Sequence, residues 1–476
     1  MNLLTKEHYP FLYLITLVAL IRLLIAPHVG LGVDEAHYVL YGQNLALSYF
    51  DHPPLVGWTQ YIFTSIFGSG EFGSRVAAII IGFVTSIFIY KLIYNINQNS
   101  KEAFIATLAL YGSFLFNALF IMLLPDTLLF LLILPIIFTV IKLEKENTLL
   151  NWIYLAILLG LAGLSKYTAV LFLLPIILYF LIKKEYKLLL TVNIIPAILL
   201  ALLIISPVII WNIQHDWISF TYQSNHVVGE NSINWNGFFK SLIAEFLAYN
   251  PLLVPIAFYG LYKALLSKNS TLFLSGLFGL VLIIFFTYAS LYNTALPHWS
   301  ALFYLLFIPI GTFYMISISK KYLKFAIIFG LFLSTLAYAE LAFKFIPQPD
   351  YKSVHRDIYG FDEIIKRANK YITDPDKDAL AVTNWTLASR ALYYNRDYNS
   401  SLYLIDKRYD QFDIWEDKNI IGKNLLVITT HFFKKDISKY ISCDKVSKID
   451  EFDIILNKNR VNSVKLTRCT NFQGIK

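Results

Sequence analysis

The sequence predicts a mainly α-helical membrane bundle of about eleven spans, followed by a small soluble α/β domain. Three observations predict it. First, 57% of the 476 residues are hydrophobic and only 15% are charged, against roughly 45–50% and 25% in an ordinary soluble domain. Second, apolar runs long enough to cross a bilayer, roughly 20 residues, recur throughout the first 346 positions. Third, the charges are segregated. Residues 347–476 hold 22 of the 40 Lys and Arg and 18 of the 32 Asp and Glu. The chain therefore divides into a transmembrane part, 1–346, with an outer loop at 29–74, and a soluble part, 347–476. This composition excludes intrinsic disorder, a collagen-like fibre and a nucleic-acid-binding tail protein. In a membrane protein the net charge of +8 is first a topology signal.

The expected spans fall near 10–28, 75–94, 103–122, 127–142, 150–164, 168–183, 188–210, 241–262, 271–290, 298–317 and 325–346. Alternate loops carry the lysines. Lys6, Lys91, Lys101, Lys142, Lys145, Lys183, Lys184, Lys187, Lys263, Lys268, Lys320, Lys321 and Lys324 map to one side, which the positive-inside bias makes cytoplasmic. The N-terminus lies there too. Loops 29–74, 211–240 and 291–297 face outward, and an odd number of spans delivers the tail to the same outer side. Residues 10–28 lack a small-residue cleavage site and read as a retained first helix. Both cysteines, Cys443 and Cys469, lie in the outer tail. Either a disulfide or two separate thiols fits that placement.

The acids show the reverse bias. Asp34, Glu35, Asp51, Glu71, Asp126, Asp216, Glu230 and Glu245 map to the outer face or to outer helix ends, as do His37, His52, His226 and His298. Lys166 is the lone basic residue between two apolar spans on that side. Ionisable groups at membrane depth are costly and mark polar pathways or sites. The densest stretches are Gly32-Val33-Asp34-Glu35-Ala36-His37-Tyr38 and Tyr49-Phe50-Asp51-His52-Pro53-Pro54-Leu55. The two prolines fix φ and hold the preceding residues extended, which aims Asp51 and His52. Carboxylates so placed can act as a general base or as ligands of a divalent cation. Capping and loop solvation are the structural alternatives.

The order of these elements resembles a known family. An acidic pair follows the first span, then Phe50-Asp51-His52-Pro53-Pro54, then Phe72-Gly73-Ser74-Arg75 at the second span. Pro125-Asp126 and Gly163-Leu164-Ser165-Lys166 follow at successive outer hairpin tips. This resembles the GT-C membrane glycosyltransferases, in the branches of the bacterial protein O-mannosyltransferases and the lipid A aminoarabinose transferases. The tail stretches 384–390 and 408–415 are similar to the soluble domain of bacterial members. The resemblance implies a multi-span protein of the bacterial inner membrane. It further implies a polyprenyl-phosphate sugar donor and an acceptor on the outer face, either lipid A or another envelope glycolipid, or a protein. The chain lacks a Gly-rich nucleotide loop, in keeping with a lipid-linked donor.

Roles follow from that resemblance. Asp34 matches the acid at the reaction centre, a general base on an acceptor hydroxyl or an orienting group for an acceptor phosphate. Glu35 supports it, and Asp126 contacts sugar or acceptor. The leaving phosphate gains charge as the glycosidic bond breaks, and nearby cations stabilise that change. Lys166 is the main candidate, as an unpaired buried lysine, with Arg75 and His52 second. An outer helix-end anchor or a pair with Glu71 is the alternative for Arg75. His37, Tyr38, Asp51 and His298 are expected to line the cavity. No cofactor is certain. Asp51 and His226 match a region where some members hold a divalent metal, a sparse set beside the roughly four ligands of a closed metal site. The last outer loop, Leu291-Tyr292-Asn293-Thr294-Ala295-Leu296-Pro297-His298-Trp299, carries Tyr292 and Asn293 where aminoarabinose transferases tend to carry lysines.

The tail alternates helical and strand patterns. Helices are expected over 362–371 and 387–394, and strands over 379–382, 402–405, 425–429 and 452–456. Two other function classes compete. A transporter or flippase for a lipid-linked sugar predicts inverted repeats and polar residues at the midplane, and the chain shows no internal repeat. An envelope polysaccharide polymerase or ligase shares the donor logic but predicts Arg-rich outer loops.

Overall fold

In the computed structural model, residues 3–228, 232–415 and 420–476 are described, positions 226–228 by their backbone alone. The bundle opens with α1 (Tyr9–Ile25), with Pro10 in the first turn, where its missing N–H costs nothing. Two helices, α2 (Val33–Gln43) and α3 (Leu55–Phe67), lead to the long α4 (Glu71–Asn97). Then come α5 (Ser100–Tyr111), α6 (Phe114–Leu119), α7 (Pro125–Lys145), α8 (Leu149–Ser165) and α9 (Leu173–Ile182). Next are α10 (Ile194–Gln214), α11 (Ile218–Val228), α12 (Trp235–Ala248) and α13 (Val254–Leu265). Last in the bundle are α14 (Ser270–Tyr292), α15 (Ala301–Met315) and α16 (Lys320–Phe343).

Seven helical stretches among the described residues are long and apolar enough to cross a bilayer: Lys6–His28, Glu71–Asn97, Pro125–Lys145, Ile194–Gln214, Ser270–Tyr292, Pro297–Met315 and Lys320–Phe343. Leu149–Ser165 and Tyr167–Ile182 are shorter apolar helices. The two remaining expected spans are interrupted. Span 103–122 breaks after Tyr111, and span 241–262 breaks between Ala248 and Val254, where Pro251 cannot supply an N–H. The breaks are tied together. The Asn250 side chain donates to the carbonyls of Gly112 and Ala326, each at 3.0 Å. The Gly112 carbonyl, freed where α5 stops, needs a partner inside a membrane bundle, and Asn250, at φ +73°, supplies one while its second bond ties it to Ala326 within α16. A Cβ on Gly330 would fall 1.8 Å from the Gly112 carbonyl oxygen, so only glycine allows this approach.

The tail forms a five-stranded sheet of order β2-β1-β3-β5-β4. Strands β1 (Asp378–Val382), β2 (Leu402–Leu404) and β3 (Asn424–Thr430) are parallel, and β4 (Ile441–Leu456) and β5 (Asn459–Ile475) form an antiparallel hairpin on β3. Alternation sorts the side chains. Leu380, Val382, Leu426 and Ile428 pack toward α17 (Phe361–Asn369) and α18 (Trp385–Asn395), while Ala379, Ala381, Leu425 and Val427 form a second core. The hairpin turns on Asn457 and Lys458, at φ +50° and +69°, the conformation a two-residue hairpin turn requires. Cys443 and Cys469 form a disulfide across β4 and β5. The sequence reading placed only 452–456 of this hairpin, because the charged stretch 444–451 hides the start of β4.

The tail packs onto α2, the loop after it and the start of α4. Ser389 Oγ lies 3.2 Å from His37 Nδ1, Gln411 accepts the Phe50 N–H at 2.7 Å, and the Tyr394 hydroxyl donates to Glu71 at 3.0 Å. At Gly30 a Cβ would stand 2.0 Å from the Ile358 carbonyl oxygen. His355 of the tail meets Glu340 of α16 at 2.9 Å.

Candidate active site

A cavity of about 180 Å³ lies where α2, the loop after it, α7, the 166–168 turn, α14 and the tail converge. Asp34, Tyr38, Asp51, His52, Asp126, Lys166 and His298 all line it. The fold thus gathers residues up to 264 positions apart into one polar patch. Trp299, which the sequence offered beside His298 as a sugar-stacking ring or an interface anchor, also lines the cavity, as do Thr168, Tyr222, Gln223 and Trp385, which were not expected there individually. Trp385 comes from the tail, inside the 384–390 stretch that carried part of the resemblance.

Asp34 sits in the first turn of α2, whose N-cap is Gly32. Exposed N–H groups at a helix start favour negative charge. Burial works against it and, with the nearby charges of Asp51, Glu35 and Asp126, pushes the Asp34 carboxyl up to about 6, while Lys166 pulls it down. Asp51 behaves oppositely. Burial raises it, but His52, His37 and the hydrogen bond from Tyr41 outweigh that and hold its carboxyl below the usual range.

Lys166 is not the unpaired lysine the sequence suggested. Its Nζ lies 2.7 and 2.8 Å from the two carboxylate oxygens of Asp126. Both are buried, at 8% and 3% exposure, and neither charge stands alone, as membrane-depth charges require. An ammonium has three N–H donors, so one remains for the cavity that Lys166 lines.

Arg75 is placed differently from the expected phosphate contact. Its Nε and one Nη hold Glu35 at 2.8 and 2.9 Å, and its remaining donors go to the carbonyls of Ala26, Val29 and Gly30. These five bonds use all five guanidinium donors. The pairing with Glu71 considered from sequence is replaced by one with Glu35. Glu35 also accepts the Gly32 N–H at 3.0 Å. The pair therefore clamps the 26–32 turn and fixes the start of α2, and neither residue lines the cavity. His37 is likewise outside it. Trp385, Phe412 and Trp415 surround the ring at the interface with the tail, and burial lowers its pKa to about 4, leaving it neutral.

No group of three or more His, Cys, Asp or Glu able to hold a metal occurs among the described residues. The side chain of His226, one of the two weak metal candidates, lies outside the described residues. Asp51, the other, is engaged by Tyr41 and lies 4.0 Å from His52. Among the described residues the donor set does not make up a closed metal site.

Beside the polar cavity runs an apolar one of about 690 Å³, formed by α8, the 167–173 turn, α9 and α10. Tyr167 and Phe220 touch each other in its wall, and Lys166, Thr168 and Tyr222, near them in the chain, line the polar cavity.

Solved structures share this fold. ArnT from Cupriavidus metallidurans, bound to undecaprenyl phosphate or in the apo state, superposes with a TM-score of 0.67 over 96% of this chain and 98% of that one, at 13% identity. The chain therefore shares the fold of ArnT. The chain also matches the family description "Dolichyl-phosphate-mannose-protein mannosyltransferase" over residues 51–211. It is 24% identical over 242 residues to the lipid A galacturonosyltransferase RgtD of Rhizobium johnstonii. That alignment spans about half of this chain and half the length of RgtD.

Proposed function

We propose that this protein transfers a glycosyl group from a polyprenyl-phosphate sugar to an acceptor on the outer face of the bacterial inner membrane. One observation carries the reading: a polar cavity holding a carboxylate of raised pKa and a buried lysine opens beside a large apolar groove. A donor with a charged head and a polyprenyl tail needs that pairing. Its tail lies in the groove of α8–α10 and its phosphate near the remaining Lys166 donor. The names of the relatives point the same way, toward lipid-linked donors and toward lipid A or protein acceptors.

In the transfer step the acceptor hydroxyl oxygen bonds to the anomeric carbon. The bond from that carbon to the phosphate oxygen breaks, and its electron pair leaves with the phosphate. Asp34 takes the hydroxyl proton. A carboxyl near 6 is ionised at neutral pH yet more basic than an ordinary aspartate, which suits a general base. Lys166 and, from the same wall, His52 balance charge on the leaving phosphate. Asp126 holds Lys166 in place, and the Arg75–Glu35 clamp positions Asp34. Residues 1–346 are the catalytic membrane domain, and residues 347–476 form an outer domain that contributes Trp385 to the cavity. The lysine bias of the loops supports this orientation, and the disulfide suits an oxidising compartment.

The test is transfer in proteoliposomes from an undecaprenyl-phosphate sugar to extracted envelope glycolipid or protein. The reading expects turnover by the native protein and none by Asp34→Asn. Equal turnover by that variant would sink it.

A further inference from the structure

A third cavity, of about 250 Å³, opens between α12, α13, α14 and α15. It shares Phe286, Leu296 and Trp299 with the polar cavity, so the two adjoin. Its walls are not merely apolar. Glu245 projects into it, with the Tyr304 and Ser300 hydroxyls presented to the carboxylate. One turn earlier on α12, the Ser241 side chain is 4% exposed, and its Oγ has no hydrogen-bond partner among the described residues. Among the described residues no Lys or Arg lines this cavity. The outer face of α12 is lipid-like, with Phe239, Ile243 and Leu247 more than half exposed.

A buried hydroxyl without a partner is costly and calls for one. A carboxylate with no nearby cation repels phosphate and attracts hydroxyl donors. The volume is below that of a drug-sized ligand site, roughly 300–1,000 Å³, and suits one sugar ring better than a peptide. The donor groove lies on other helices, α8 to α10. We infer that the Ser241–Glu245 cavity is the acceptor subsite, and that it takes an uncharged, hydroxyl-rich sugar headgroup of a membrane glycolipid. The lipid chains of that acceptor run along α12, and its headgroup reaches Asp34 past Trp299. This rests on the transferase reading and names the acceptor class for it. It also fits the loop before His298, which carries Tyr292 and Asn293 in place of lysines.

The test uses the full chain in phosphatidylcholine nanodiscs and two photoreactive probes with the same alkyl chain, one headed by glucose and one by phosphate. The glucoside is expected to label the peptides around 241–246 and 296–304 in preference to the phosphate probe. Glu245→Leu is expected to cut that labelling roughly tenfold, the loss of a hydrogen bond to a charged group, and Ser241→Val, separately, about fivefold, the loss of a neutral one. If Glu245→Leu does not fold, Glu245→Gln tests the charge alone. Equal labelling of these peptides by both probes overturns the inference, as does glucoside labelling that neither variant changes. The phosphate probe near Lys166 reads the donor site separately. Its failure there counts against the transferase reading and leaves the glucoside result to stand or fall alone.

Discussion

Lys166 Nζ sits within 2.8 Å of both carboxylate oxygens of Asp126, in a wall of the cavity that also holds Asp34. The two residues come from different helix ends, 40 positions apart. Each neutralises a charge the bundle could not otherwise tolerate, and together they present a cation to the cavity without an isolated buried charge. The pair sets up the first prediction.

Breaking this pair from one side is expected to destabilise the bundle. Lys166→Ala leaves the Asp126 carboxylate buried and unpaired, a cost of about 3–5 kcal/mol. Asp126→Asn leaves the ammonium in the same position. The double variant Asp126→Asn with Lys166→Met is expected to recover much of the loss, because neither charge remains. Unfolding in a denaturing-detergent titration checks this. Additive losses in the double variant would show that the two residues act independently.

Asp34→Asn is expected to lower turnover by about 10²–10⁴-fold, the usual contribution of a positioned base. The folded protein should survive and gain stability at neutral pH. The Asp34 pKa is raised on folding to about 6, so the native state binds more protons than the unfolded chain between the ordinary value and 6. That part of the stability is present below the ordinary value and is lost as pH rises through 6. The amide removes the loss. Thermal midpoints of both proteins at pH 5 and pH 7.5 measure it.

The pH profile of transfer follows from the same group. The base must be ionised, so the rate is expected to fall as pH drops through about 6. Asp126 raises the Asp34 pKa and Lys166 lowers it. Asp126→Asn should therefore move the acid limb to lower pH, and Lys166→Ala should move it to higher pH. Shifts in the same direction would contradict this electrostatic account.

Arg75→Lys is expected to behave as a positioning defect. A lysine cannot supply the five-donor fork that holds Glu35 and three carbonyls, so the 26–32 turn loosens and Asp34 loses its aim. kcat should fall while the KM for the donor changes little. A large rise in donor KM with unchanged kcat would instead place this residue against the donor phosphate.

Removing the disulfide with Cys443→Ser and Cys469→Ser is expected to cost the tail domain about 3 kcal/mol, the range for a bridge spanning 26 residues. Proteolysis of the tail in native membranes should accelerate, with the bundle unaffected. Alkylation of the unreduced native protein should find neither thiol.

Composition alone determined a good deal. Sparse, segregated charge marked a membrane bundle with a soluble tail, and motif order brought Asp34, Asp51, His52, Asp126, Lys166 and His298 to notice together. These features are local, since each span is an apolar run and each motif a few adjacent residues. What the sequence misjudged was pairwise. Lys166 looked unpaired because its partner lies 40 residues away, and Arg75 resembled a phosphate contact because Glu35 sits on another helix. His37 is next to Tyr38 in sequence, yet the helical turn points it to the tail while Tyr38 faces the cavity. Two expected spans broke where Asn250 meets Gly112, a contact no single-segment pattern contains. Composition and periodicity are properties of one segment and can be read along the chain. Ion pairing, helix breaks and the sharing of a cavity depend on which segments approach each other, and only the tertiary structure decides that.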